Sequence, residues 1–172
     1  RPIRVSVKNV QRTLIEGAAL TVLIVFLFTL EHEATHTTPF ATERLNDWVG
    51  RACGFLLLLP FEWFRYFHLA HHRWTNIEGK DPELDGGKPE TLSAWLWHVS
   101  GLPYWISGAR LTLRLARGRE RASYLPEGAL PRMEQEARVM LLLYALVLLS
   151  LFVSPLLFWV WLMPVVLGQP AL

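Results

Sequence analysis

The stretch LTVLIVFLFTLEHEATH, Leu20 to His36, decides how this chain folds, because an apolar run ends in it on a pair of histidines. Within 13–31 the only charged residues are Glu16 and Glu31. A helix of that length rises about 28 Å, close to the hydrocarbon thickness of a bilayer. The pattern therefore predicts a transmembrane helix over 13–31 with the histidines at its polar end.

Composition agrees with a membrane protein, since 52% of the 172 residues are hydrophobic while 19% are charged, and the two kinds are segregated along the chain. The formal net charge is only +2, and no nucleic-acid partner is predicted. Cys53 is the single cysteine, which excludes an internal disulfide and a thiolate metal cluster. We expect one domain over 1–172.

Three further segments are apolar enough to meet a membrane. The segment 139–168 is predicted to span it, with Ser154-Pro155 separating two helices. The segments 48–67 and 92–108 are shorter, and the second is rich in tryptophan, so both are predicted to be interfacial or re-entrant. The predicted fold class is all-α integral membrane, with transmembrane helices and a cytosolic cap of shorter amphipathic helices and loops.

Arginines concentrate in one part of the chain. Seven of them lie in 110–138, which by the positive-inside rule favours the cytoplasmic side for this region. Those at positions 110, 114, 117 and 121 recur at helical spacing and predict a basic amphipathic helix on an anionic leaflet. Four basic residues, at positions 1, 4, 8 and 12, flank the other end of the predicted first span and favour the opposite orientation. The expected location is the membrane, with the active site facing the cytoplasm.

Five of the six histidines form two short clusters, each at the end of an apolar run. On a helix His32 and His36 are four residues apart and share a face, and the same holds for His68, His71 and His72. Imidazole is a common metal ligand, and this spacing brings several to one point. The five histidines are therefore predicted to be metal ligands.

The first cluster also reads as H-E-x-x-H, the pattern of zinc metalloproteases, with Glu33 as general base. "ELDGG" resembles the Leu-Asp-Gly of intramembrane site-2-type proteases, so His32, His36 and Asp85 would bind zinc. That alternative leaves the second cluster without a role, and it places Asp85 in a charged loop. Five imidazoles are too many for one tetrahedral zinc ion and suit two iron ions better.

The chain resembles the membrane fatty acid desaturase superfamily in the order of its motifs. These are H-x-x-x-H, then H-x-x-H-H, then "HHRWTN" followed by "DPEL". The resemblance implies a cytosolic di-iron site held by His32, His36, His68, His71 and His72. It implies O2-dependent desaturation, or hydroxylation, of a fatty acyl chain. A carotenoid ketolase or hydroxylase of the same superfamily remains an alternative, as does a non-enzymatic metal-binding membrane protein.

The chain departs from the superfamily pattern because it contains no third H-x-x-H-H box. We therefore expect it to be part of a longer protein. After His72 the sole histidine is His98, a weaker candidate for the site. Asp81 and Asp85 are weaker candidates too, as hydrogen-bond acceptors for ligand imidazoles.

The implied cofactors are two non-haem iron ions, with O2 as co-substrate. The implied partners are a lipid acyl chain or other apolar substrate, membrane lipids, and an electron donor such as a ferredoxin or a cytochrome. An acidic donor would find a candidate docking surface in the basic stretch Arg110 to Arg121.

Overall fold

The computed structural model describes residues 2–171, with side chains from residue 7 to residue 170 apart from residue 13. This part of the chain is helical and contains no strand. Seven α-helices follow one another, with 3₁₀ turns before α4, before α6 and after α7, and a π-helical segment, Phe158–Leu162, before α7. They are α1 Pro2–Thr35, α2 Glu43–Leu57, α3 Phe61–Trp74, α4 Leu92–Val99, α5 Leu102–Ala116, α6 Leu130–Ser150 and α7 Met163–Gly168.

Helix α1 is long and apolar, and most of its described side chains are exposed. The most apolar 18 residues of its stretch Val7–Thr35 have a mean hydropathy of 2.2. Among the described helices, it alone is long and apolar enough to cross a membrane. The segment predicted over 139–168 is not one helix. Helix α6 ends at Ser150 and the apolar stretch Phe158–Gly168 is shorter than a span.

A tight connection turns the chain from α1 into α2. Thr42 caps α2 by accepting a hydrogen bond from the amide of Leu45. Asn46 is buried, accepts from the amide of Phe40 at 3.1 Å, and donates to the carbonyls of Phe40 and Thr42 at 2.9 Å each. Asn46 therefore pairs both the amide and the carbonyl of Phe40, and this holds the start of α2 against the end of α1.

The stretch 48–67 forms parts of two helices rather than one. Leu58 adopts a left-handed conformation, and the amide of Leu59 bonds to the carbonyl of Gly54, which ends α2. Pro60 then precedes α3. Gly54 has no room for a side chain, since an added Cβ would lie 2.4 Å from the carbonyl oxygen of Leu59.

Two small apolar cores hold the helices together. The first joins α5 and α6 through residues such as Leu115 and Met133, and the second joins α1, α2 and α7 through Ile24, Leu57 and Val165.

The predicted basic helix is shorter than its arginine spacing suggested. Helix α5 ends at Ala116, because the chain turns at Gly118 with a φ of 65°.

Candidate metal centre

Four of the predicted ligands meet where the C-terminal end of α1 faces α3. His32 and His36 come from the last turn of α1 and its immediate extension, His68 from the middle of α3, and His72 from the last turn of α3. One ring nitrogen from each of the four lies within 4.8 Å of the others, close enough to surround one ion. Helix α2 makes this meeting possible, because it packs against α1 and leads directly into α3.

The imidazole nitrogens point toward a common centre. His68 Nε2 lies 3.0 Å from His36 Nε2 and 2.9 Å from His72 Nε2. The ring of His32 is 4.2 Å from that of His68, centroid to centroid, and meets it edge to face. An ion at this centre would replace these nitrogen–nitrogen contacts with coordination bonds.

The histidines at the centre favour their neutral form. Burial, followed by the neighbouring imidazoles of His32 and His72, lowers the pKa of His68 to about 4. Burial also lowers the pKa of His36, with a further contribution from the same two neighbours. Since a metal binds the neutral imidazole, the site holds these rings in the ligating state near neutral pH.

Two carboxylates orient individual imidazoles. The Nδ1 of His32 contacts Glu33 Oε1 at 3.2 Å, and Glu33 also accepts a bond from the hydroxyl of Thr38 at 2.8 Å. The Nδ1–H of His71 donates to Asp81 Oδ1 at 2.9 Å. A hydrogen bond at Nδ1 fixes the tautomer that leaves Nε2 free to bind a metal.

Asp81 is buried and also accepts from two backbone amides, those of Asn76 at 2.8 Å and Glu83 at 3.0 Å. Burial opposes ionisation, but the bonds from His71 and the two amides outweigh it and lower the pKa of Asp81. Asp81 is therefore an ionised acceptor that secures both the loop after α3 and one imidazole.

The remaining sequence candidates lie apart from the four-histidine group. His71 is turned toward Asp81 and Glu83, and its ring centroid is 6.5 Å from that of His68. Asp85 and His98 are exposed, and neither belongs to the group. The proposed zinc triad of His32, His36 and Asp85 is therefore not assembled in the described part of the chain.

Charged residues inside 48–74, which the histidine pattern does not include, anchor α3. Glu136 of α6 accepts a bond from the amide of Glu62 at 2.8 Å, at the first turn of α3. Glu62 is buried and paired with Arg51 of α2, and Arg65 is paired with Asp47. Arg51, Glu62 and Arg65 could have been recognised in the sequence because they interrupt an apolar stretch. A charge that is buried in such a stretch requires a partner.

Comparison with known proteins decides the family. The sequence matches the fatty acid desaturase family over residues 14–172. The chain belongs to this family. The match covers the first two histidine boxes and the apolar segments that follow, so the resemblance of the histidine pattern is confirmed.

Individual desaturases resemble the chain over shorter stretches. A sphingolipid delta(4)-desaturase DES1-like protein of Oryza sativa subsp. japonica is 29% identical over 85 residues, which are 46% of this chain and 26% of that protein. An sn-1 linoleoyl-lipid 6-desaturase of Synechocystis sp. is 35% identical over 78 residues, covering 45% and 21% respectively. An sn-1 acyl-lipid omega-3 desaturase (ferredoxin) of the same organism is 24% identical over 123 residues, covering 70% and 34%.

These matches span about a fifth to a third of the length of the relatives. No solved structure matches the chain significantly.

The donor set fits the iron that the desaturase family implies. Imidazole nitrogen is a good ligand for ferrous iron, and four such donors are brought together with their lone pairs converging. His71 has its Nδ1 occupied by Asp81, so its Nε2 is available outside the group of four. The arrangement can hold a metal ion.

Proposed function

We propose that the protein is an O2-dependent non-haem di-iron oxidoreductase that desaturates, or hydroxylates, a fatty acyl chain of a lipid. The observation that carries the proposal is the convergence of four imidazoles from α1 and α3 in a chain of the fatty acid desaturase family. Iron bound there would activate dioxygen for removal of hydrogen from an unactivated C–H bond.

The role assigned to the chain's own residues is to hold and orient the ligands. His32, His36, His68 and His72 would bind one iron ion, and His71 would contribute to a second. Glu33 and Asp81 fix the tautomers of His32 and His71 by accepting from Nδ1. Phe64 stacks on His68, the buried member of the group, and shields that ring from water.

The membrane placement is part of the proposal. We place α1 across the bilayer with its histidine end at the cytoplasmic surface, and the apolar segments over 139–168 inside it. The segments 48–67 and 92–108 would lie at the interface, where the exposed Trp95 and Trp97 of α4 favour the headgroup level. The arginines after residue 110 support the cytoplasmic assignment.

The reaction requires two electrons for each O2, so an electron donor must dock. One relative carries ferredoxin in its name, and a ferredoxin or a cytochrome is the donor class that we propose. Arg110 and Arg117 are exposed and have no carboxylate partner within the described residues. They offer an acidic donor a favourable surface.

Metal and product analysis of the full-length protein tests the proposal. We expect two iron ions per chain and new double bonds, or hydroxyl groups, in the lipids of an expressing host. His68→Ala should abolish both, while His98→Ala, an exposed histidine outside the group, should leave them unchanged. One tightly bound zinc ion with peptide cleavage, or a protein without stoichiometric metal, would contradict the proposal.

A further inference from the structure

A groove of about 600 Å³ runs between α2 and α6, away from the histidines. Arg51 of α2 lies opposite Glu136 of α6, and Phe55 stacks on Tyr144, so the two helices run in the same direction. The groove therefore has one end near the start of both helices and another several turns further along them.

The first end of the groove is polar and incompletely paired. Arg132 is 53% exposed, its guanidinium reaches Tyr66 Oη only at 3.4 Å, and its nearest described carboxylate, Glu62, is 3.9 Å away. The side chain of Glu136 is 8% exposed. Its Oε2 accepts from the amide of Glu62, and its buried Oε1 lies 3.9 Å from Arg51 Nε, so Arg132 is the group that this end of the groove exposes.

The other end of the groove is apolar. It is lined by Phe55, Val139, Met140 and Leu143, and it opens onto the exposed apolar face of α6. Helix α2 turns back along α1 from the histidine end, so the apolar end of the groove points along the apolar body of α1. The groove is therefore charged at one end and apolar at the other. A lipid in a leaflet has the same arrangement, with its headgroup at the membrane surface and its acyl chains inside.

We propose that this groove binds a bilayer phospholipid, with its phosphate at Arg132 and one acyl chain along Phe55, Val139 and Leu143. The inference rests on the membrane placement in the proposed function and is independent of the metal chemistry. Arginine suits a phosphate because its guanidinium donates several parallel hydrogen bonds. Burial raises the pKa of Glu136 to about 7, so the site does not place a full negative charge beside the phosphate at neutral pH.

The exposed guanidinium of Arg132 predicts selectivity between two phospholipids. Phosphatidylglycerol carries a net negative charge, whereas the choline of phosphatidylcholine neutralises the charge of its phosphate. Native mass spectrometry of the full-length protein, titrated with each lipid, measures this directly. We expect saturable binding of phosphatidylglycerol, about fivefold tighter than that of phosphatidylcholine, the ratio that about 1 kcal/mol of charge attraction at an exposed arginine supplies.

Two substitutions separate the ends of the groove, and each has a matched control. Arg132→Gln should weaken phosphatidylglycerol binding at least about tenfold, while Arg110→Gln on α5 should not. Val139→Trp should fill the apolar end and abolish binding, while Leu142→Trp, on the outward face of the same helix, should not. Equal behaviour of each variant and its control, or no saturable binding by the wild type, overturns the proposal.

A photo-crosslinking amino acid at Leu143 identifies the occupant in the membrane. An adduct with the mass of a phospholipid supports the proposal, whereas an adduct to another segment of the protein or to a second copy overturns it. Iron content is measured on the same samples. Loss of lipid binding with iron retained affects only this inference, and lipid binding without iron contradicts only the proposed oxidoreductase.

Discussion

Asp81 provides the most specific test of how the second histidine cluster is held. Its Oδ1 accepts from His71 Nδ1 and from the amide of Glu83, and its Oδ2 accepts from the amide of Asn76. Asp81→Asn keeps the shape but replaces one acceptor oxygen by an NH2 group. In either orientation of the asparagine amide, its NH2 group faces at least one of these donors, so at least one hydrogen bond is lost.

The two orientations have different costs. With its oxygen at the Oδ1 position, the asparagine keeps His71 and loses the bond from Asn76, a residue held at a φ of 61° by this loop. Loss of one hydrogen bond to a charged group costs about 1.5–3 kcal/mol. With the NH2 at that position, it donates to His71 Nδ1 and places the proton on Nε2, which removes the lone pair that would bind iron.

Loss of such a hydrogen bond to a ligand imidazole lowers metal affinity by roughly 10- to 100-fold. The assay is a competition between the full-length protein and a series of iron chelators, read by metal analysis and accompanied by desaturation in the expressing host. Asp85→Asn is the matched control, because Asp85 belongs to the same loop but is exposed and has no bond to a histidine. Equal iron affinity in the two variants would refute the role of Asp81.

Three further outcomes test the scaffold around the site. Asn46→Ala should destabilise the protein by about 1–3 kcal/mol, since it leaves the partly buried amide and carbonyl of Phe40 without their side-chain partner. Alkylation of the buried Cys53 during heating measures this, and unchanged kinetics would contradict it. Gly54→Ala should destabilise by about 1–3 kcal/mol through the clash with the carbonyl of Leu59. Gly17→Ala is its control, because a Cβ there meets nothing within 4 Å, and thermal unfolding should show a loss for the first and none for the second. A maleimide should label Cys53 slowly in the native protein, because only 4% of this residue is exposed, and rapid labelling would contradict that burial.

The helical class and the apolar helix α1 were predictable because both depend on local pattern. A run of apolar residues long enough to cross a bilayer has few alternatives, and it ends on its histidines in the structure as the pattern indicated. Spacing of three and four residues also predicted that His68 and His72 share a face of α3. These features require only the geometry of one helix.

The meeting of the two clusters depends on tertiary contacts, and local pattern does not report them. It needs the turn held by Asn46, the break at Leu58 and the anchoring of Glu62 by Glu136, none of which has a periodic signature. The division of 48–67 into two helices was missed for the same reason, because the left-handed residue is a leucine and not a glycine. Orientation of His71 toward Asp81 likewise depends on a loop that crosses back over the end of α3.

Glu33 has a different expected role in each of the two interpretations of the first histidine pair. In a zinc protease it would activate water at the metal, and its amide variant would lose all activity. Here its side chain is 46% exposed, and it bonds to Thr38 and to the Nδ1 of its neighbour His32. A contact of 3.2 Å at an exposed position contributes little, so Glu33→Gln should lower iron affinity by less than about tenfold.

Chelator competition and product analysis distinguish these outcomes for Glu33→Gln, with Asp81→Asn measured beside it. We expect the buried acceptor at His71 to matter more than the exposed acceptor at His32, because bulk water can replace Glu33 but has no access to the position of Asp81. A complete loss of turnover in Glu33→Gln with iron fully retained would instead assign Glu33 to proton transfer. That result would show that the four imidazoles and the carboxylate act together at the reacting atoms, contrary to the geometry described above.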